Sequence, residues 1–191
     1  MSSIVLKNQL HKDLLNYIIS KKNAWESTLL LLKSFIPSFK GNILTSITEG
    51  DMKEEWDNLK KGNIPDEYSL IIKEIEDKFP IEEIDFITTP DKNTTHISKL
   101  LDSIGKRFHL EVKYPQVTKE VSLTKEQDYK AKIEAAEGMF EMSKDDVKGK
   151  NVFILVDILG NCAKLISLLE ELNNKGASVF VYSILNVRED I

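Results

Sequence analysis

The sequence predicts an α/β domain with a parallel sheet over residues 81–191, preceded by an α-helical N-terminal region over residues 1–80. The first observation is the unbroken apolar run Val152–Val156, which is typical of a parallel strand buried on both faces. The second is the alternation of strand and helix patterns after residue 80, which indicates βαβ units. The third is the spacing of apolar residues by three and four before residue 80, which indicates amphipathic helices.

Helical periodicity accounts for most of the N-terminal region. The predicted helices cover Ile4–Ile19, Trp25–Ile36, Asp51–Leu59 and Asp66–Phe79. The aspartates that begin the last two are expected to act as N-caps, because a carboxylate accepts hydrogen bonds from unpaired amide groups there. The segment Ile43–Ile47 has no clear periodicity and stays unassigned.

Strand and helix patterns alternate through the C-terminal region. The first unit is a strand at Ile84–Ile87, a polar loop at Thr88–Thr95 and a helix at His96–Phe108. A short strand at Leu110–Tyr114 and a mobile loop at Pro115–Val121 are predicted to follow.

The remainder of the C-terminal region contains a second βαβ unit. A charged helix at Thr124–Glu137, closed by Gly138, precedes the strand at Val152–Val156. A helix at Ala163–Asn173 and a strand at Ala177–Leu185 complete the unit. Crossovers of this kind are right-handed and bring the carboxyl ends of the strands to one edge, where open α/β sheets usually bind ligands.

Composition excludes several classes of function. The chain has 191 residues and a net charge of −5, and without a basic stripe it does not resemble a nucleic-acid-binding protein. Its single cysteine, Cys162, allows no internal disulfide or zinc cluster, which indicates a reducing, cytoplasmic setting. No signal peptide or membrane-length apolar run is present, so we expect neither export nor a membrane. Abundant Lys, Asn and Ile favour a bacterial or phage source.

The histidines give no metal motif. His11, His96 and His109 are far apart and lack carboxylate or cysteine neighbours at metal-ligand spacing. We therefore assign them no ligand role and predict no metal site from these residues.

Several of these segments together resemble a known family. Lys150–Asp157, a short loop, Ala163–Leu165 and Gly176–Val181 resemble the strand, loop, helix and strand of type I phosphoribosyltransferases. Lys132, Gly138 and Phe140 also fall at the spacing of the Arg, Gly and Phe of ComF-like proteins, although Ala135 stands where these have Asn. The resemblance covers Ile81–Arg188 and leaves the N-terminal helices without a counterpart.

The resemblance implies a set of site residues. In that family an acidic pair contacts the ribose hydroxyls, and the next loop holds the 5-phosphate with backbone amides at a helix N-terminus. Asp157 takes the catalytic or ribose-binding position here. The implied phosphate- and diphosphate-binding residues are Gly160, Asn161, Cys162, Ala163, Lys164, Thr88, Thr89, Asp91 and Lys92.

Several of these residues could instead have purely structural roles. Asp157 could simply open a loop and cap the next helix, and Gly160 could only permit a tight turn. Cys162 could be a small packing residue, because no histidine adjoins it in sequence to complete a nucleophilic pair.

Two departures from the family pattern bear on activity. Ile158 occupies the second acidic position, and isoleucine cannot accept a hydrogen bond from a ribose hydroxyl. The loop after Asp157 is also one residue shorter than the family's and lacks its threonine pair. We therefore expect a non-catalytic phosphoribosyltransferase-like protein that binds a nucleotide, a phosphosugar or a protein partner, with a regulatory or assembly role.

Two alternatives stay open. One is a divergent active phosphoribosyltransferase or nucleotide glycosidase that uses Mg²⁺ and phosphoribosyl diphosphate, with Asp157 holding the ribose. The other is an interaction or effector protein of a bacterial defence system such as a retron, which the resemblance suggests. In that case the helical region with Trp25 and Phe35 is expected to bury its apolar face against a protein partner or a second copy.

Overall fold

The structure is a computed structural model that describes residues 43–45, 51–63, 69–122, 129–158 and 163–185. Its strands are β1 (Ile43–Thr45), β2 (Phe86–Thr88), β3 (Glu111–Val112), β4 (Gln116–Val117), β5 (Phe140–Glu141), β6 (Asn151–Ile158) and β7 (Ser178–Leu185). Its helices are α1 (Asp51–Lys60), α2 (Leu70–Lys78), α3 (Thr95–Phe108), α4 (Tyr129–Ala136), α5 (Lys144–Val147) and α6 (Ala163–Asn174). A turn of 3₁₀ helix at Ile81–Glu83 precedes β2.

Five of the described strands form one parallel sheet, in the order β1-β7-β6-β2-β3. β6 lies between β2 and β7, with Val152 opposite Phe86 on one side and Val179 on the other. This confirms the predicted α/β fold class and the placement of the apolar run as a central strand.

Alternation along β6 sends its side chains into two separate cores. Val152, Ile154 and Val156 pack in the cluster that contains α4 and α6, whereas Phe153 and Leu155 pack in the cluster that contains α2 and α3. Each fully buried large apolar side chain contributes about 1.5–3 kcal/mol relative to an exposed one. Burial on both faces explains why this strand carries a continuous apolar run rather than an alternating one.

The predicted helices and strands after residue 80 are largely confirmed, with shifts of one or two residues at most ends. The loop predicted at Pro115–Val121 contains β4, which pairs antiparallel with β5. No element was predicted where β5 and α5 lie, and the predicted start of a helix at Thr124 lies outside the described residues. Strands of two residues are too short to show an alternating pattern, so the sequence gives no signal for them.

The N-terminal region is described in part. α1 covers the predicted helix and extends it to Lys60, but Asp51 is its first residue, so the N-cap role of Asp51 stays a prediction. α2 begins after Ser69, whose hydroxyl accepts from the backbone N–H of Ile72 at 3.2 Å. Asp66, the predicted cap, lies outside the described residues, as do the helices predicted at Ile4–Ile19 and Trp25–Ile36. The segment left unassigned contains β1, which pairs with β7. The boundary at residue 80 stays a prediction, while α2 and β1 contribute to the core and sheet beyond it.

Within the described residues, no helix has both the length and the apolar character needed to cross a bilayer.

Candidate functional site at the carboxyl edge of the sheet

The chain leaves β2 and β6 in opposite directions, although the two strands are neighbours. β2 leads through α3 to β3 on one side, and β6 leads through α6 to β7 on the other. The two helices cover opposite faces of the sheet, so their N-terminal ends are separated by a gap at the carboxyl ends of β2 and β6. Such a gap is the usual ligand position in open α/β sheets. We call this gap the crevice; it is bordered by Thr88, Asp91, His96, Asp157 and Lys164.

Asp157 lies at the end of β6, on the face covered by α3. Its Oδ2 lies 3.0 Å from Nε2 of His96, so a protonated Nε2 donates to the carboxylate. Its Oδ1 is buried and has no hydrogen-bond partner among the described residues. The side chain as a whole is 17% exposed. One carboxylate oxygen is therefore engaged and the other is left without a donor, which is unusual for a buried acceptor.

His96 is the site residue that our sequence reasoning missed. It is the second residue of α3, and this position places its ring beside the end of the adjacent β6. His96 and Asp157 are 61 positions apart, so no local spacing could have paired them. The available signal was the strand order, because a helix that follows β2 starts next to the end of β6 if those strands are neighbours.

The loop after β2 is folded on itself by its own polar groups. Thr89 Oγ1 accepts from the backbone N–H of Asp91 at 3.1 Å, and the N–H of Thr94 donates to the carbonyl of Asp91 at 2.9 Å. Thr88 is fully buried on the face covered by α6, and its Oγ1 has no partner among the described residues. The end of β2 thus places one unsatisfied, buried hydroxyl beside the crevice, and the loop that follows adds one carboxylate.

Asp91 and Lys164 join the two sides of the crevice. Lys164, from the first turn of α6, has its Nζ 3.6 Å from Oδ1 of Asp91. Burial raises the pKa of Asp91, Lys164 opposes that rise, and the negative charge of Asp157 adds to it. Two of the predicted binding residues, from separate segments of the chain, are therefore brought together with Asp157.

Lys92 lies on the flank of the crevice nearest β3. Its Nζ is 5.2 Å from the centre of the Tyr114 ring, a cation–π distance. Tyr114 also lines a cleft of about 600 Å³, whose other lining residues are Glu111, Lys113, Gln116, Glu141, Met142, Ser143 and Asp146. The structure therefore directs the Lys92 side chain towards Tyr114.

The predicted phosphate loop is described only at its end. Gly160, Asn161 and Cys162 lie outside the described residues, so their anion-binding role stays a prediction. Ala163 begins α6 and is buried, and Lys164 is 40% exposed. The N-terminal end of α6, where the helix dipole favours anions, borders the crevice.

Magnesium would require carboxylate oxygens free to ligate it. Among the described residues, no group of three or more His, Cys, Asp and Glu side chains is placed to hold a metal ion. Asp157 Oδ2 is engaged by His96, and Asp91 lies beside the Lys164 ammonium. The described residues by themselves therefore do not form a magnesium site.

No family model matches the chain, and no curated protein matches it. Among solved structures, the chain is similar to the hypoxanthine-guanine phosphoribosyltransferase of L. donovani, with 14% identity and a TM-score of 0.39. The match covers 70% of this chain and 68% of that chain. A similarity of this size does not identify a ligand or a reaction.

Proposed function

We propose that this chain binds a phosphorylated sugar or a nucleotide in the crevice, and that it acts as a non-catalytic, phosphoribosyltransferase-like protein with a regulatory or assembly role. The observation that carries the proposal is the meeting of Asp157, the loop after β2 and Lys164 at the point where the two crossovers diverge. These groups come from two segments that are distant in sequence, the loop after β2 and the segment from Asp157 to Lys164.

The chemistry of the crevice suits a ligand with both hydroxyl and phosphate groups. The Asp157 carboxylate can accept hydrogen bonds from sugar hydroxyls. Lys164 and the N-terminal ends of α3 and α6 provide positive charge and backbone N–H groups for a phosphate. A ligand of this kind would use the negative and the positive groups of the crevice together.

The arrangement favours binding over turnover. Cleavage at the anomeric carbon of a sugar builds positive charge, and glycosidases commonly use a pair of carboxyl groups that flank the scissile bond. Here Asp157 is hydrogen-bonded to His96, and Asp91 is paired with Lys164. Ile158 supplies no second acid beside Asp157.

Calorimetry with ribose 5-phosphate tests the proposal on the full chain. We expect measurable binding that weakens at least about tenfold in Asp157→Asn, the loss of roughly one charge-assisted hydrogen bond. Asp85→Asn is the matched control, because Asp85 is a paired carboxylate at the opposite end of the same strands. The affinity of this variant for ribose 5-phosphate should equal that of wild type. Failure of wild type to bind ribose 5-phosphate and nucleoside monophosphates would contradict the proposal.

A divergent transferase or nucleotide glycosidase is the second candidate. The observation in its favour is His96, a side chain able to carry a proton, beside Asp157 in the crevice. Incubation with nucleoside monophosphates or with phosphoribosyl diphosphate and nucleobases, followed by chromatography, measures free base or diphosphate. Product that disappears in Asp157→Ala would establish this function in place of the non-catalytic one.

A protein partner, self-association through the N-terminal helices and a role in bacterial defence stay predictions.

A further inference from the structure

We propose that His96 is a positioning residue for Asp157, holding the carboxylate so that Oδ2 is presented to a hydroxyl of the ligand. This inference rests on the proposed function, since it assigns a role to a neighbour of the ligand-binding carboxylate. In this arrangement, Asp157 contacts the ligand and His96 acts only by orienting Asp157.

The first step is that Asp157 is restrained from one side. Its Oδ1 makes no hydrogen bond among the described residues, so the contact with His96 is what fixes the rotation of the carboxylate. The terminal torsion of an aspartate is broad and roughly two-fold, and packing alone restrains it weakly. Without a donor at Oδ2, the carboxylate is free to turn.

The second step is that His96 is itself held in place. α3 is anchored by four apolar side chains that are fully buried in the core, Ile97, Leu100, Leu101 and Ile104. Backbone bonding starts in its first turn, where the N–H of Ser98 donates to the carbonyl of Thr94 at 3.0 Å. A donor on a rigid element orients its acceptor more precisely than a donor on a loop.

The third step is that Oδ2 can still receive a ligand. A carboxylate oxygen has two lone-pair sites, so Oδ2 can accept from His96 and from one hydroxyl at once. Oδ1 is buried while the Asp157 side chain as a whole is 17% exposed, and we infer that Oδ2 is the oxygen that a ligand reaches. His96 therefore does not block the acceptor that it orients.

Three substitutions at His96 test the role of its Nε2. The amide nitrogen of glutamine is the same number of bonds from Cβ as Nε2, whereas that of asparagine is one bond shorter. We expect the dissociation constant for ribose 5-phosphate to rise about tenfold in His96→Ala and His96→Asn, and to stay within about threefold of wild type in His96→Gln. His109→Asn, at the other end of α3, is the control and should bind as wild type does, since asparagine tolerates the left-handed backbone of His109.

The outcomes separate this inference from the proposed function. Wild type that binds ribose 5-phosphate while His96→Ala binds equally well overturns the positioning role and leaves the proposed function standing. Equal affinities of His96→Gln and His96→Asn also overturn it, because both remove the imidazole and differ in reach. Wild type that binds no phosphorylated sugar overturns the proposed function, and this inference with it.

Discussion

The polar groups at the two ends of the strand pair β2–β6 differ in how fully they are hydrogen-bonded. At the amino end, Asp85 accepts from Lys150 Nζ and from the backbone N–H of Asn151, both at 2.8 Å, so each carboxylate oxygen has a donor. The side-chain amide of Asn151 also donates to the carbonyl of Glu83 at 2.9 Å. At the carboxyl end, Asp157 has one oxygen without a partner among the described residues, and the hydroxyl of Thr88 has none either.

This difference distinguishes a structural edge from the edge at which we propose that the ligand binds. Satisfied polar groups stabilise the fold, whereas a buried polar atom without a partner costs free energy, a cost typical of sites kept for function rather than for stability. The hydrogen bonds from Lys150 and Asn151 hold the pKa of Asp85 below its ordinary value, while burial raises the pKa of Asp91. Perturbations at the two ends should therefore have opposite consequences for stability.

The largest expected effect on stability is at the amino end. Asp85→Ala should lower the free energy of unfolding by about 1–2 kcal/mol at pH 7, because it leaves Lys150 and the N–H of Asn151 without their shared acceptor. The pKa of Asp85 is lowered in the fold, so this contribution is present above pH 3.8 and is lost as the pH falls through the folded value. Urea unfolding at pH 7 and pH 3 measures the loss of stability in the variant and its dependence on pH. No loss at pH 7 would contradict the assignment of this end as structural.

Glu170 tests whether an unpartnered carboxylate oxygen is enough to mark a binding edge. Like Asp157, it has a buried carboxylate oxygen with no hydrogen-bond partner among the described residues, but it lies in α6 near Glu137. Burial, and then the charge of Glu137, raises its pKa from 4.5 to about 7. The unfolded chain therefore ionises first, and stability falls as the pH rises from 4.5 to about 7 and is level above that.

Glu170→Gln removes this pH-dependent loss. Since the side chain is only partly buried, we expect the variant to be more stable than wild type by about 1 kcal/mol at pH 8 and equal to it near pH 4. Thermal or urea unfolding across that range measures the difference, and ribose 5-phosphate affinity should not change. A change in affinity would mean that the crevice is not the binding edge.

The fold was predictable to the extent that burial leaves a pattern in the sequence. Val152–Val156 is buried on both faces and reads directly as a central parallel strand. β1 is an edge strand of three residues, and β4 and β5 have two residues each, too few to establish a period. Short elements form because neighbours pair with them, which is information that a local pattern does not contain.

The candidate site was predictable only as two separate segments. Asp157 and the loop after β2 were identified from the ends of predicted strands, and the structure brings Asp91 and Lys164 together as neighbours. The pairing of His96 with Asp157 depends on strand order, because it joins residues 61 positions apart. Local spacing assigned His96 no role for this reason.

A smaller effect should distinguish Asp91 from Asp85. The pKa of Asp91 is raised, so the unfolded chain releases this proton at a lower pH than the folded chain and stability falls as the pH rises. Asp91→Asn should therefore raise the free energy of unfolding at pH 7 by about 0.5 kcal/mol, with no difference near pH 3. Paired urea titrations at the two pH values measure it. A loss at pH 7 would place Asp91 with the structural carboxylates instead.

The smallest expected effects on stability come from two lysines, one at each end of the strand pair. Lys150 lies 2.8 Å from Asp85 and Lys164 lies 3.6 Å from Asp91, and their side chains are 45% and 40% exposed. Exposed ion pairs contribute little, so we expect Lys150→Ala to lower the free energy of unfolding by about 0.5 kcal/mol and Lys164→Ala by less than about 0.3 kcal/mol. Calorimetry should reverse this order, with ribose 5-phosphate affinity reduced in Lys164→Ala and unchanged in Lys150→Ala. Equal affinities in the two variants would remove Lys164 from the proposed binding edge, because the two side chains are similarly exposed and each lies beside a carboxylate.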